Sequence, residues 1–450
     1  MVKTFLENNK TNMLNDLAKL VSYNSVLSDD AAPFGKANQE VLDEALKMFE
    51  REGLVTKNLD YYCGYGEMGQ GDKLIGILAH LDIVPAGEGW TSNPFEMVER
   101  DGVLYGRGVS DDKGAVIGSL YALKYLKESG YPLKKRIRLI VGCNEETGSR
   151  CIKHYVEKEG HIDMGFTPDG GFPGIFAEKG MIGGVIKTRT SKIMNISGGD
   201  AGNIVCKRVN VELPINSYDE SELNDFFRDN DIEYNIIKSN ESIKLTVYGK
   251  AAHASMPEDG INAMSYLMEG LYVAGFNDEL VTYYHDKIGL TYNGEKIKAN
   301  AFEDEYTNFT MNIGVISKVD SEIMMSVDVR FPVKSKVEDV EALMVKALNR
   351  GNVYFDVKST HEPLFFDVDN PMIKAMLKAY IDVTGEKDAK MEAIGGGTYA
   401  KSINNCIAFG CEIPGDDTHI HDANECLKID SLLRQVEIYI EAIKNLNEVE

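Results

Sequence analysis

The chain lacks the features of membrane spanning, disulfide bonding or polyanion binding. No run of apolar residues approaches the roughly 18 needed to cross a bilayer. The amino-terminal stretch MVKTFLENNKTNMLNDLAKL has no uninterrupted apolar core of the kind a signal peptide carries, and its polar spacing reads as an amphipathic helix. Seven cysteines, an odd number, stand singly at 63, 143, 151, 206, 406, 411 and 426 without a CxxC pair. That pattern argues against a disulfide framework and a thiolate zinc site, and points to the cytoplasm. Positive charge is short, with 48 Lys and Arg against 71 Asp and Glu and a net charge of −23. Phosphate binding needs a basic surface, so nucleic acid and anionic membrane are disfavoured as partners. There is no GxSxG elbow and no cysteine in a matched histidine context, which leaves a nucleophilic hydrolase without support. Repeats, low-complexity tracts and linkers rich in Pro and Ser are absent too.

What is present centres on residues 74–114. Leu74 to Ala79 is an apolar run that reads as a buried strand of a parallel sheet. It stops at His80-Leu81-Asp82, where two side chains able to bind metal or protons stand two apart. A Gly- and Pro-rich loop leads to Gly106-Arg107-Gly108 and then Ser110-Asp111-Asp112-Lys113-Gly114. Ala115, Val116, Ser119, Leu120, Leu123 and Leu126 follow at helical spacing. The carboxylate pair thus precedes a helix, whose free N–H groups and dipole favour negative charge. A histidine at a strand end and an ionised Asp at a helix start are parts of a metal site.

At 450 residues, 43% hydrophobic and 26% charged, the chain has ordinary globular composition and length for two or three domains. Helices are expected at 11–23, 38–52, 112–128 and 149–158, and strands at 74–79 and 137–143 (IRLIVGC). This βαβα alternation implies a mostly parallel sheet with right-handed crossovers. His80, Glu145, Glu146 and Asp169 each stand near the carboxyl end of a strand, where open α/β sheets bind ligands. From Gly183 the texture changes to short strands with polar alternation, as in SIKLTVYGK, flanking helices near 219–229, 261–275 and 336–350. The α/β pattern returns after Thr360, with helices at 370–384 and 430–446. The fold class expected is α/β: a mostly parallel-sheet catalytic domain, residues 1–180 and 363–450, carrying an inserted α+β domain, 181–362.

HLDIVP at 80–85 followed by GRGVSDDKG at 106–114 resembles the signature of the M20 metallopeptidases, which hydrolyse amides with two metal ions. The resemblance implies His80 as a ligand of the first ion, with Asp82 orienting its ring, and Asp111 bridging both ions before a cis Asp111–Asp112 peptide. The Glu145-Glu146 pair resembles the family's general base followed by a ligand of the second ion. Thr167-Pro168-Asp169 supplies another ligand, and HIHDANE the last, His421, with Glu425 four residues on. His419 is the rival to His421; His154, His161, His285 and His361 match no motif. In the insert, which corresponds to the family's lid, GKAAHASMP places His253 as a donor to the reacting carbonyl oxygen. Asn203 in GDAGNIV and Arg330 in SVDVRFP correspond to substrate-binding positions, Arg330 as the fork for a C-terminal carboxylate. Thr398 in GGTYA joins them.

Within the family, the HLDIVPAGEGW stretch, GGTYA and the large insert are most similar to the PepV-like dipeptidases. The resemblance implies a dipeptidase acting on free-amine dipeptides, with two divalent ions (Zn²⁺ or Mn²⁺, both suited to imidazole and carboxylate) and Glu145 as base. The alternatives are an M20 deacylase or desuccinylase acting on N-acyl amino acids and, more remotely, a metal-binding scaffold without catalysis. The expected partner is a small peptide. A lid complete within one chain fits a monomer, and a homodimer stays open.

Overall fold

Strands buried along nearly their whole length lie inside the first sheet, and strands of alternating burial build a second sheet with one wet face. The computed structural model describes residues 1–450. They form two compact units. One is Met1–Ala177 with Phe366–Glu392 and Gly397–Glu450; the other is Glu178–Phe365 with Ala393–Gly396.

The first unit opens with α1 (Val2–Val21) and α2 (Lys36–Arg51), which buries Val41, Leu42, Ala45, Leu46 and Phe49 at helical spacing. A hairpin of β1 (Val55–Leu59) and β2 (Cys63–Gly69) leads to β3 (Leu74–His80), buried at every residue. Next come the ribbon strands β4 (Val98–Arg100) and β5 (Val103–Tyr105), then α3 (Lys113–Glu128) and β6 (Arg136–Gly142). They are followed by α4 (Arg150–Glu159), β7 (Met164–Thr167) and β8 (Ile175–Glu178).

The chain then passes through β9 (Gly180–Thr188), β10 (Asn195–Gly198), β11 (Arg208–Pro214), α5 (Glu220–Asp229), β12 (Tyr234–Lys238) and β13 (Ser242–Tyr248). After these lie α6 (Ala263–Val273), α7 (Glu279–Lys287), β14 (Thr310–Val319) and β15 (Glu322–Phe331). The stretch ends with α8 (Val337–Leu348), β16 (Val353–His361) and β17 (Leu364–Phe365). The closing segment holds α9 (Pro371–Thr384), β18 (Glu392–Ile394), β19 (Cys406–Ala408), β20 (Cys426–Lys428) and α10 (Ile429–Glu448).

Within the first unit the strand order runs β1-β2-β6-β3-β7-β19-β8. Only the centre, β6-β3-β7-β19, is parallel; the β1-β2, β2-β6 and β19-β8 pairings are antiparallel. The fold is α/β, but its sheet is mixed rather than mostly parallel. The turn between β1 and β2 is too short for the crossover that parallel neighbours need, so that edge reverses direction. At the centre, Gly76 faces Gly165 across the β3-β7 ladder, and a Cβ on Gly165 would stand 2.0 Å from the Gly76 carbonyl oxygen. Small residues let the two strands meet there.

The second unit carries an antiparallel sheet in the order β12-β13-β11-β10-β14-β15-β9-β16. Burial alternates along β9, so one face packs against a core that includes Leu267 and Leu271 of α6 and Leu280 and Val281 of α7.

Candidate metal centre

Three parallel strands aim their carboxyl ends at one rim. His80 is the last residue of β3, Glu145 and Glu146 follow β6, and Asp169 follows β7 by two residues. Asp111 and Asp112 precede α3. His421 comes from the loop before β20, at φ +66°. Ligand atoms of His80, Asp111 and Glu146 lie within 4.8 Å of one another, and so do those of His80, Glu145 and Asp169.

Asp111 is at the centre of this arrangement. Its Oδ1 lies 3.0 Å from His80 Nε2, and its Oδ2 lies 2.9 Å from His421 Nε2. Each oxygen of one carboxylate therefore faces a different imidazole. His421 Nε2 is also 3.3 Å from Glu146 Oε2. Burial works to raise the Asp111 pKa, but His421 and His80 outweigh it and hold the carboxyl below its usual range. The Asp111 and Glu146 contacts push His421 up to about 10. His80 is fully buried, which alone would lower its pKa, yet the Asp111 contact carries it well above the ordinary value. The site is built to hold positive charge.

The structure redirects two carboxylates. Asp82 was expected to orient the His80 ring. His80 Nδ1 instead lies 2.9 Å from the backbone carbonyl oxygen of Asp82, while the carboxylate oxygen stands 3.7 Å away. The Asp82 carboxylate accepts the backbone N–H groups of Glu145 at 3.0 Å and Glu146 at 3.1 Å. It therefore fixes the glutamate pair, and burial pushes its own pKa up to about 6. Asp112, expected to stay ionised at the helix start, makes no capping bond. Its carboxylate accepts the His80 backbone N–H at 3.0 Å, and burial raises its pKa well above the carboxylate range. The peptide between Asp111 and Asp112 is cis.

Burial likewise pushes the Glu145 carboxyl up to about 8. Below His80, the Tyr399 ring packs edge-on at 6.2 Å, and its hydroxyl lies 2.9 Å from Cys151 Sγ. Gly142, paired with His80 in the ladder, has no Cβ; one there would stand 2.1 Å from that hydroxyl. Sequence reasoning missed Tyr399 and the destination of Asp112, because both depend on contacts between distant segments. Thr398 accepts the Ala400 N–H at 3.2 Å and caps the turn Tyr399–Ser402.

The remaining expected residues belong to the second unit. Asn203 accepts the Ala254 N–H at 2.9 Å through its backbone carbonyl, beside the bridge that pairs Ile204 with His253. His253 is exposed, yet partial desolvation, aided by the nearby Arg330 charge, lowers its pKa and so favours the neutral ring. The Ser255 backbone N–H donates to His253 Nδ1 at 3.2 Å, and Ser255 Oγ lies 2.7 Å from the same nitrogen. With Nδ1 accepting, the neutral ring carries its proton on Nε2 and offers an outward N–H. Arg330 is 4% exposed. Its Nε and Nη2 are taken by Asp328 at 2.6 and 2.9 Å, and Nη1 lies 3.4 Å from the Gly395 carbonyl oxygen.

The first unit's residues fit divalent metal binding. Imidazole nitrogens and carboxylate oxygens converge on common points, and Glu146 Oε1 is buried without receiving a hydrogen bond.

An α/β sheet that gathers histidines and carboxylates at its strand ends is the scaffold of a metal-dependent hydrolase. The chain belongs to peptidase family M20/M25/M40, whose sequence pattern matches residues 76–445. It is 33% identical to "Putative dipeptidase YtjP" of Bacillus subtilis (strain 168), covering 97% of both chains. Among solved structures, human carnosine dipeptidase 1 superposes with a TM-score of 0.60 at 15% identity, covering 100% of this chain and 98% of that one. A tripeptidase from Staphylococcus aureus does so at 0.58 and 17% identity, covering 98% and 99%. At such identities the two structures speak for the fold alone. No helix is long and apolar enough to cross a membrane.

Proposed function

We propose that this peptidase is a dipeptidase that cleaves small peptides bearing a free α-amine, with two divalent ions and Glu145 as general base. One observation carries the two-ion reading: the Asp111 carboxylate offers one oxygen toward His80 and the other toward His421, the disposition a bridging ligand needs. The dipeptidase reading draws on the relatives' names, YtjP among them. His80, Asp111, Glu146, Asp169 and His421 would hold the ions, and their donor set suits Zn²⁺ or Mn²⁺. When bound, the ions supply Lewis acidity toward the scissile carbonyl and favour hydroxide over water.

The chain's own residues do the rest. Glu145 takes the proton of the attacking water and passes it to the leaving amine. Asp82 keeps Glu145 and Glu146 in register through their amides. His253 donates its Nε2–H to the developing oxyanion. Arg330 binds the substrate carboxylate through Nη1, the part of the guanidinium that Asp328 leaves free. Asn203 and Thr398 complete the substrate contacts. Seven cysteines, all buried and none in a disulfide, support work in a reducing compartment, the cytoplasm.

The test is turnover of metal-stripped protein resupplied with Mn²⁺ or Zn²⁺ on free dipeptides and on their N-acetylated counterparts. Restored cleavage confined to the free-amine set is expected. Preference for the acetylated set would move the activity to deacylation.

Arg330→Lys gives a second check. Lysine keeps the charge but not the planar fork. KM for dipeptides should rise about ten- to hundredfold, the size of a charge-assisted hydrogen bond worth roughly 1.5–3 kcal/mol, with kcat little changed. A fall in kcat at constant KM would remove Arg330 from carboxylate binding.

A further inference from the structure

The loop that presents His421 has no helix or strand of its own. His421 sits at φ +66° with its side chain 54% exposed, between His419 at φ +50° and Asn424 at φ +63°. His80 and Asp169, by contrast, are placed by the β3 and β7 ladders, and Glu146 by Asp82. Something else must hold His421 against Asp111.

Four residues beyond it, the Glu425 carboxylate turns inward and is fully buried. Its Oε1 accepts the backbone N–H groups of Ser110 at 3.0 Å and of Asp111 at 3.1 Å. Its Oε2 accepts the Gly108 N–H at 2.9 Å and Arg107 Nη1 at 2.8 Å. The Glu425 carbonyl oxygen also accepts the Gly106 N–H at 3.1 Å. Arg107, 1% exposed, reaches on through Nη2 to the carbonyl oxygens of Ala86 at 3.3 Å and His421 at 3.4 Å. The segment carrying Asp111 and the segment carrying His421 are thus laced together by one buried ion pair. Asn424 also ties that loop to Thr91 and Gly89, and this contact is exposed.

We propose that the Arg107–Glu425 pair is a positioning device for one of the two ions, the one shared by Asp111, Glu146 and His421, and hardly bears on the other. The Asp111 segment has a second anchor, since the adjoining Asp112 carboxylate accepts the His80 N–H at 3.0 Å, whereas Arg107 reaches the His421 carbonyl oxygen, so loss of the pair is felt at His421 rather than at the shared Asp111. Neither residue ligates an ion or touches substrate. Partners that orient metal ligands in this way are typically worth roughly 10–100-fold in metal affinity.

The inference rests on the two-ion reading above, and calorimetric titration of metal-free protein with Mn²⁺ alone separates the two. Native protein should take up two ions; fewer would sink the two-ion reading itself. Glu425→Gln keeps the shape and an acceptor oxygen but loses the charge. It should bind one ion at the native affinity and the other roughly 10–100-fold more weakly. His421→Ala should lose that same ion, so Glu425→Gln added to it should cost little more in affinity.

Two unchanged affinities in Glu425→Gln, or both weakened by one factor, would overturn the proposal. If Glu425→Gln is recovered only as aggregate, Arg107→Lys, which keeps the charge but not the fork, is judged by the same criterion. Insolubility of both variants would mean that the pair holds the whole unit together, and would equally overturn a role confined to one ion.

Discussion

Glu145→Gln should lower kcat for dipeptide cleavage by roughly 10²–10⁴-fold, the usual contribution of a positioned general base, while both ions stay bound. Glutamine preserves the side chain's shape and its backbone N–H, which Asp82 holds at 3.0 Å. It removes only the basicity. Without cations nearby, burial pushes the Glu145 pKa up to about 8, so the carboxyl is mostly protonated at pH 7. Adjacent cations favour the carboxylate and bring that value down, toward the region where a base serves best at neutral pH. Glu146, the expected ligand beside it, is untouched by the substitution. Steady-state kinetics with metal content measured on the same sample decides the matter. A kcat within a few-fold of native, with two ions present, would pass the proton-transfer role to another group. Loss of an ion would instead make Glu145 a ligand.

Asp111→Asn should have the other large effect, and a different one: both ions weakened together and turnover reduced to background. Asparagine has nearly the same outline, but it offers one neutral oxygen and an N–H₂ group where two anionic oxygens face His80 and His421 at 3.0 and 2.9 Å. A bridging ligand serves two ions, so its loss cannot be confined to one. Metal analysis by mass spectrometry after dialysis against micromolar Mn²⁺ should return less than one ion per chain. Retention of one ion at native affinity would show that Asp111 serves a single position. The set is diagnostic: Glu145→Gln leaves both ions, Glu425→Gln weakens one, and Asp111→Asn weakens both.

The sequence reads most clearly where burial is complete. β3 is buried at every residue, so the apolar run LIGILA announces itself and ends at His80, where the chain reaches the rim. α3, with its apolar positions at helical spacing, begins one residue past the expected start. β1 and β2 were not legible. Val55–Leu59 is mostly solvent-facing, and CGYGEMG is glycine-rich, so neither segment carries a clean period. Missing that hairpin is why the sheet was expected to be mostly parallel.

By itself the sequence determined which chemistry was available: imidazole and carboxylate groups at strand ends and a helix start, in an order that resembles M20 peptidases. These are local properties, set by hydrophobic period and by residue type. Tertiary structure alone decided where each polar group points. It sent the Asp82 carboxylate to the amides of Glu145 and Glu146 rather than to the His80 ring. It turned Asp112 away from the helix it precedes, and it split the two oxygens of Asp111 between a histidine on β3 and one in a loop near the far end of the chain. A buried polar atom must take whichever partner the packed backbone brings within about 3 Å. For these residues the partners come from segments that only folding places side by side.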